Sequence, residues 1–162
     1  MDIIGNIMIK NILIKAVRKD FLQLTALAKN QEIYGCALVT GSDFGNIAMK
    51  IAAYTKRNRI PNWYVDEWRL ASFELQNSAL SRVDKKITEL LIQKQECLKD
   101  EMLSLFIDSL KNLKVFLKQE NIIDVEKICF FVSIIDDDEG IELLTAKELN
   151  SSHILKSFLS SK

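Results

Sequence analysis

The part of this sequence that most resembles a catalytic or binding site is a run of four acidic residues, Asp136 to Glu139. They follow the apolar run FFVSII and precede Gly140, after which apolar residues resume. Such a run suits a metal or catalytic cluster, a docking patch for a basic protein, or a solvated turn in which Gly140 supplies a positive φ. An EF-hand loop is excluded, because Gly140 at its sixth position puts Ile135 and Ala146 at the two essential ligand positions.

Metal-assisted hydrolysis is one alternative for this acidic run. Two-metal catalysis requires carboxylates from several segments of a chain. Asp43, Asp66 and Glu67 are candidates that could join Asp136 and Asp138, although nothing in the sequence shows that they converge. Calorimetry with magnesium, manganese and calcium tests this hypothesis, because a site of this kind releases or absorbs heat when the metal binds.

Nucleophilic and cofactor chemistry find little support in the sequence. His153 is the only histidine, and Cys36, Cys97 and Cys129 are far apart, without the paired spacing of a zinc site or disulfide framework. Cys36 and Cys129 lie in apolar runs, which favours buried reduced thiols. Neither GxxxxGK[ST] nor GxGxxG occurs. The sequence therefore predicts no cofactor and no metal site.

A basic segment, Lys56 to Arg59, is a candidate for binding RNA or an acidic partner, because Tyr54 and Trp63 flank it. The chain carries 22 basic and 22 acidic residues, and this zero net charge argues against a general nucleic-acid binder. RNA binding through this segment therefore remains an alternative only. Trp63 suits either a core anchor or an interface hot spot, whereas Trp68 is predicted to be in the core.

Hydrophobic periodicity predicts the elements that position these residues. A helix is expected over 6–29, and the apolar runs 33–41 and 46–55 read as a hairpin of two strands. A third strand is predicted over 64–75, and two helices hinged near 94–100 are predicted between residues 78 and 118. The run 127–136 reads as a central strand, IELL as a short strand, and TAKEL and SSHILKSFL as short helices capped at Ser151 or Ser152.

This order of elements predicts one α+β domain over residues 1–162. We expect a mainly antiparallel sheet of about four strands with helices packed on one face. The composition, 48% hydrophobic and 27% charged, is typical of globular proteins. The amino terminus lacks the features of a signal peptide, and no run of roughly 18 uncharged apolar residues occurs. We therefore expect a cytoplasmic protein without a membrane span.

Three segments carry a resemblance to a known family. They are EIYGCALVTGSDFGNIAMKIAAYT, DEWRLASFEL and CFFVSIIDDDEGIELLTAKELNSSHILKSF. With these segments in this order, the chain resembles, over nearly its whole length, a bacterial domain family of unknown function that carries the number four-three-zero-three. The last segment is the most specific, since strand, acids and Leu149-Asn150 keep their order, whereas the tryptophan segment lacks an expected proline.

This resemblance implies no established activity, but such families often look like immunity proteins or antitoxins. It favours a non-enzymatic module that binds and blocks a protein partner, such as a cognate toxin with a basic surface. The predicted partner-binding residues are Asp136, Asp137, Asp138, Glu139 and Trp63. Electrostatic steering by the acidic run would speed association with such a partner.

Overall fold

One four-stranded sheet, in the order β3–β2–β1–β4, is the centre of the fold. The structure is a computed structural model that describes residues 3–92, 98–137 and 140–160. The strands are β1 (Ile33–Thr40), β2 (Ala48–Ala53), β3 (Leu70–Ala71) and β4 (Cys129–Ile134), and the helices are α1 (Ile3–Ala28), α2 (Ala79–Ile92), α3 (Leu98–Gln119), α4 (Ile141–Leu149) and α5 (Ser152–Leu159). The predicted α+β class and a sheet of about four strands are confirmed.

The sheet is mixed rather than antiparallel throughout. Strand β1 pairs antiparallel with β2 and parallel with β4, and β2 pairs antiparallel with β3. A parallel pair needs a long crossover connection, which α2 and α3 supply between β3 and β4. All residues of β1 and β4 are buried, as expected for strands covered on both faces.

Each face of the sheet has its own apolar cluster. Helices α1, α2 and α3 contribute to the larger cluster, in which Phe106 and Phe130 are fully buried. The opposite face is covered by aromatic residues of the segment after β2 and by α5, whose Phe158 ring lies 5.0 Å from the ring of Phe131. The expectation that all helices pack on one face is therefore wrong for α5, because β4 presents alternate side chains to both faces.

Two predicted strands were assigned incorrectly. Residues 64–75 form single 3₁₀ turns at Val65–Glu67 and Ser72–Glu74, with only the two-residue β3 between them. The IELL segment is the first turn of α4. The two helices expected between residues 78 and 118 are confirmed as α2 and α3, although most of their predicted hinge lies outside the described residues. Among the described helices, none is long and apolar enough to cross a membrane.

The amino terminus of α2 is capped by a residue of α1. The buried Asp20 accepts hydrogen bonds from the Ala79 and Leu80 backbone N–H groups at 2.7 and 3.0 Å, and from the Ser78 hydroxyl at 2.7 Å. The Ser78 hydroxyl in turn accepts from the Ser81 N–H group. Asp20 lies on the apolar face of α1 because it caps a second helix.

Gly35 in β1 allows the Trp68 ring to pack directly on the strand backbone. A Cβ atom at this position would lie 2.5 Å from Cη2 and 2.9 Å from Cζ2 of Trp68. The ring cannot shift easily, since its Nε1 donates to the Asn62 carbonyl at 2.7 Å and its ring centroid is 5.7 Å from that of Phe131. Gly35 is thus required by close packing rather than by an unusual φ.

Gly35→Ala is expected to lower the free energy of unfolding by about 2 kcal/mol, the usual cost of overpacking a core. Urea denaturation of the variant measures this loss. Trp68→Phe supplies the matched background, because the smaller ring removes the clashing atoms. In the Trp68→Phe background, Gly35→Ala should lower the free energy of unfolding much less. Equal losses in the two backgrounds would contradict the contact between position 35 and the Trp68 ring.

Candidate functional site

The acidic run lies where two parallel strands end. Strands β1 and β4 run in the same direction, so their carboxyl ends meet at one edge of the sheet. The exposed Asp43 follows β1 in the turn to β2, and Asp136 and Asp137 follow β4. The Ile135 N–H group donates to the Thr40 carbonyl at 2.9 Å and ties the two segments together. We call this part of the molecule the acidic end.

The first two acids of the run have different roles. Asp137 Oδ2 accepts a hydrogen bond from the Ile141 N–H group at 2.8 Å, so this carboxylate caps α4 and favours its positive dipole end. Asp136 is exposed and has a φ of 59°, in the left-handed region. Gly140 has a φ of 70°, as the sequence predicted for this bend. Asp138 and Glu139 lie outside the described residues.

Exposed apolar side chains lie next to the acidic end. They are Ile135, which precedes the acids, and Leu143 and Leu144 in the first turns of α4. A shallow depression of about 540 Å³ is lined by Gly140, Leu143, Leu144, Lys147 and Glu148. We call Ile135, Asp136, Leu143 and Leu144 the α4 patch. Its leucines belong to the IELL segment, for which the sequence predicts a strand, although Asp137 and Gly140 before an apolar run are a helix-start signal.

Helix α4 is fixed along the open edge of β4 by its own side chains. Asn150, which directly follows α4, accepts from the Phe130 N–H group at 2.8 Å and donates to the Phe130 carbonyl at 2.7 Å, as a neighbouring strand would. Thr145 Oγ1 accepts from the Val132 N–H group at 2.9 Å. Lys114 donates to the Leu149 carbonyl at the end of α4, where a cation is favoured. These bonds hold the α4 patch in a fixed position.

The other reactive side chains that the structure describes do not form a catalytic arrangement, and Cys97 lies outside the described residues. Cys36 and Cys129 are buried, and burial is the main reason that the pKa of the Cys36 thiol is raised far above its usual value. The two thiols belong to the clusters on opposite faces of the sheet, and His153 is exposed on α5. No group of three or more His, Cys, Asp or Glu side chains suited to a metal ion occurs among residues 3–92, 98–137 and 140–160.

Trp63, a predicted partner-binding residue, lies in the interior. Only 4% of its surface is exposed, and its ring makes edge contacts with Tyr34 at 5.3 Å and Phe158 at 5.2 Å between centroids. Of the two roles open to it, this burial favours the core anchor. Trp68 is also buried, as predicted. The neighbouring Tyr64 is 69% exposed and is the aromatic side chain that this segment presents to solvent.

The basic segment is the exposed tip of an ordered loop. Short-range bonds fix its backbone: Asn58 N–H donates to Thr55 Oγ1 at 2.9 Å, and Ile60 N–H donates to Asn58 Oδ1 at 2.9 Å. The base of the loop is anchored by Asn62, which exchanges two hydrogen bonds with the hydroxyl of Tyr34. Burial raises the pKa of the Tyr34 hydroxyl more than the bond from Asn62 lowers it.

Comparisons with known proteins leave this fold and its surfaces to be interpreted on their own. No family model matches the chain, no curated protein matches it, and no solved structure matches it. The resemblance to the bacterial family numbered four-three-zero-three therefore stays a prediction.

Proposed function

We propose that this protein is a non-enzymatic binding module that docks one protein partner on the α4 patch and the acidic end. One observation carries the proposal: two exposed leucines on a fixed helix lie beside an exposed carboxylate turn. An apolar centre with a charged rim is the usual composition of a protein interface. The immunity or antitoxin role, in which such a partner would be a toxin, rests on the family resemblance.

The charge of the acidic end specifies the chemistry of the partner. Asp43 and Asp136 are exposed there, and the sequence adds Asp138 and Glu139 to the same run. Lys147, at the edge of the depression, is the opposing charge nearby in α4. A basic surface with an apolar pocket therefore complements this region. Rigid attachment of α4 to β4 favours binding, because few contacts have to be ordered when the partner arrives.

Leu144 is the side chain on which this proposal depends most directly. Its exposed fraction is 52%, and that of Leu27 on α1 is 55%, so Leu27 is a matched control at a distant site. Leu144→Ala is expected to weaken partner binding by about 30-fold, as for a hot-spot residue worth roughly 2 kcal/mol. Leu27→Ala should leave the affinity unchanged. Both variants should keep the stability of the unchanged protein within about 0.5 kcal/mol.

The experiment begins with a pulldown from the native host, in which the unchanged protein, Leu144→Ala and Leu27→Ala are compared side by side. A specific partner should be recovered by the unchanged protein and by Leu27→Ala, but not by Leu144→Ala. Surface plasmon resonance with that purified partner then gives the rate constants. Equal recovery by all three proteins, or recovery of no specific partner, contradicts the proposal.

Asp136→Asn separates the electrostatic contribution from the apolar one. Asparagine tolerates the positive φ of this position, so the turn should be kept. Removing the charge should slow association several-fold at low salt and flatten its salt dependence, with little change in dissociation. Association rates that do not change between Asp136→Asn and the unchanged protein would show that the acidic end does not steer the partner.

The two alternative functions have less support. A hydrolase using Asp136 and Asp138 needs converging acids, and Asp137, between them, caps α4. Calorimetry with magnesium, manganese and calcium tests it, and the absence of heat at millimolar metal would exclude it. RNA binding through Lys56–Arg59 is tested by filter binding at low salt, where loss of retention in Arg57→Ser would support a role for the loop.

A further inference from the structure

The loop after β2 carries a surface that complements the acidic end in charge. Lys56 and Arg57 are exposed at its tip, and Arg59 forms an exposed ion pair with Glu32 at 3.4 Å. Ile60 is 75% exposed, beside these cations in sequence. Together with the exposed Tyr64 they form what we call the basic tip. The basic tip combines cations with large exposed apolar side chains. The α4 patch instead combines apolar side chains with acids, so the two surfaces have opposite charge.

The basic tip and the acidic end lie at opposite ends of the sheet. The loop begins after β2, whose last residue, Ala53, pairs with Ile33 at the start of β1. The acidic end follows Thr40 and Ile134, the last residues of β1 and β4. An eight-residue strand is roughly 25 Å long, so one molecule cannot bring its two surfaces together. Only a second molecule can supply the complement.

We propose that copies of this chain associate head to tail, with the basic tip of one molecule docked on the α4 patch and acidic end of the next. The fixed backbone of the tip and the fixed position of α4 favour this contact, because neither surface has to be ordered first. The contact joins two different surfaces, so it is heterologous and leaves one of each unoccupied at the ends. It does not require that another partner exists.

The contact should be weak and sensitive to salt. Five large exposed side chains and a few rim charges make a small interface, and a dissociation constant on the order of 100 µM is expected. Salt at 0.5 M screens the charges and should weaken association several-fold. A partner with a basic surface would compete for the same end, so tight binding of that partner should displace the neighbouring copy.

Sedimentation velocity from about 10 to 500 µM, a range that brackets this constant, tests the proposal with two complementary variants. The tip variant is Arg57→Ser with Ile60→Ser, and the end variant is Asp136→Asn with Leu144→Ser. The unchanged protein should show a sedimentation coefficient that rises with concentration beyond that of a dimer. Each variant alone should stay monomeric. An equimolar mixture should form a dimer and stop there, because it retains one intact contact per pair.

Three results would overturn the proposal: an unchanged protein that stays monomeric at low salt, a variant that associates like the unchanged protein, or a mixture that remains monomeric. Leu27→Ser is the control and should associate normally. A protein that stays monomeric but binds a partner through Leu144 would overturn only this inference. Association without any specific partner would overturn only the function proposed above.

Discussion

Asp20→Ala is expected to lower the free energy of unfolding by about 4 kcal/mol, more than any other single substitution considered for this protein. The carboxylate is fully buried and accepts three hydrogen bonds, two from the first backbone N–H groups of α2 and one from Ser78. Alanine would leave those donors without an acceptor in the interior. The loss therefore includes the cost of unsatisfied polar groups as well as the helix cap.

Chemical denaturation and thermal melting measure this effect, and a loss of this size corresponds to a fall in Tm of roughly 10 °C. Asp20→Asn should be intermediate, because its amide oxygen can still accept but lacks the charge. Asp66→Ala is the matched control, since Asp66 is exposed. If Asp20→Ala cost no more than Asp66→Ala, the assigned cap would be wrong.

Asn150→Ala is expected to lower the free energy of unfolding by about 3 kcal/mol, because the Asn150 side chain makes the hydrogen bonds that a neighbouring strand would make at the edge of β4. Its amide accepts from the Phe130 N–H group and donates to the carbonyls of Phe130 and Ala146. Removing it exposes unpaired backbone groups between β4 and α4. Urea denaturation gives the total loss, and faster hydrogen exchange of the Phe130 amide should locate it at this edge.

Asn150→Asp distinguishes this arrangement from simple loss of packing. Aspartate has the same shape and can still accept from the Phe130 N–H group, but its oxygens would face the carbonyls of Phe130 and Ala146. It should therefore be about as destabilising as alanine at neutral pH. Asn11→Ala, at an exposed position of α1, is the control and should change stability by less than about 0.5 kcal/mol. Full stability in Asn150→Asp would contradict the bonding scheme.

The elements predicted well from the sequence are those with a strong local pattern. Short apolar runs correctly predicted β1, β2 and β4, and apolar residues at helical spacing correctly predicted α1, α2 and α3. The strand predicted over 64–75 is wrong, because Trp68 is buried directly after a 3₁₀ turn and Ala71 is buried in a strand of only two residues. Local alternation cannot distinguish that arrangement from a longer strand.

The candidate surface was predictable only in part. Acids after an apolar strand indicated an exposed turn, and Gly140 indicated its bend. The capping role of Asp20 required knowledge of tertiary position, because the helix that it caps begins 59 residues later. The capping role of Asp137 is local, since the helix that it caps begins at Ile141. Trp63 was ambiguous because tryptophan is frequent both in cores and in interfaces, and only the second apolar cluster shows which role its packing favours.

Helix α4 covers the edge of β4 with side chains, and this has a consequence during synthesis on the ribosome. Strand β4 leaves the ribosome before Thr145 and Asn150 do, so a nascent chain passes through a stage in which this hydrogen-bonding edge has no cover. At that stage two neighbouring nascent chains can pair through β4, as uncovered strands do. A chain in which α4 has not yet docked on β4 is therefore expected to aggregate more readily than the folded protein.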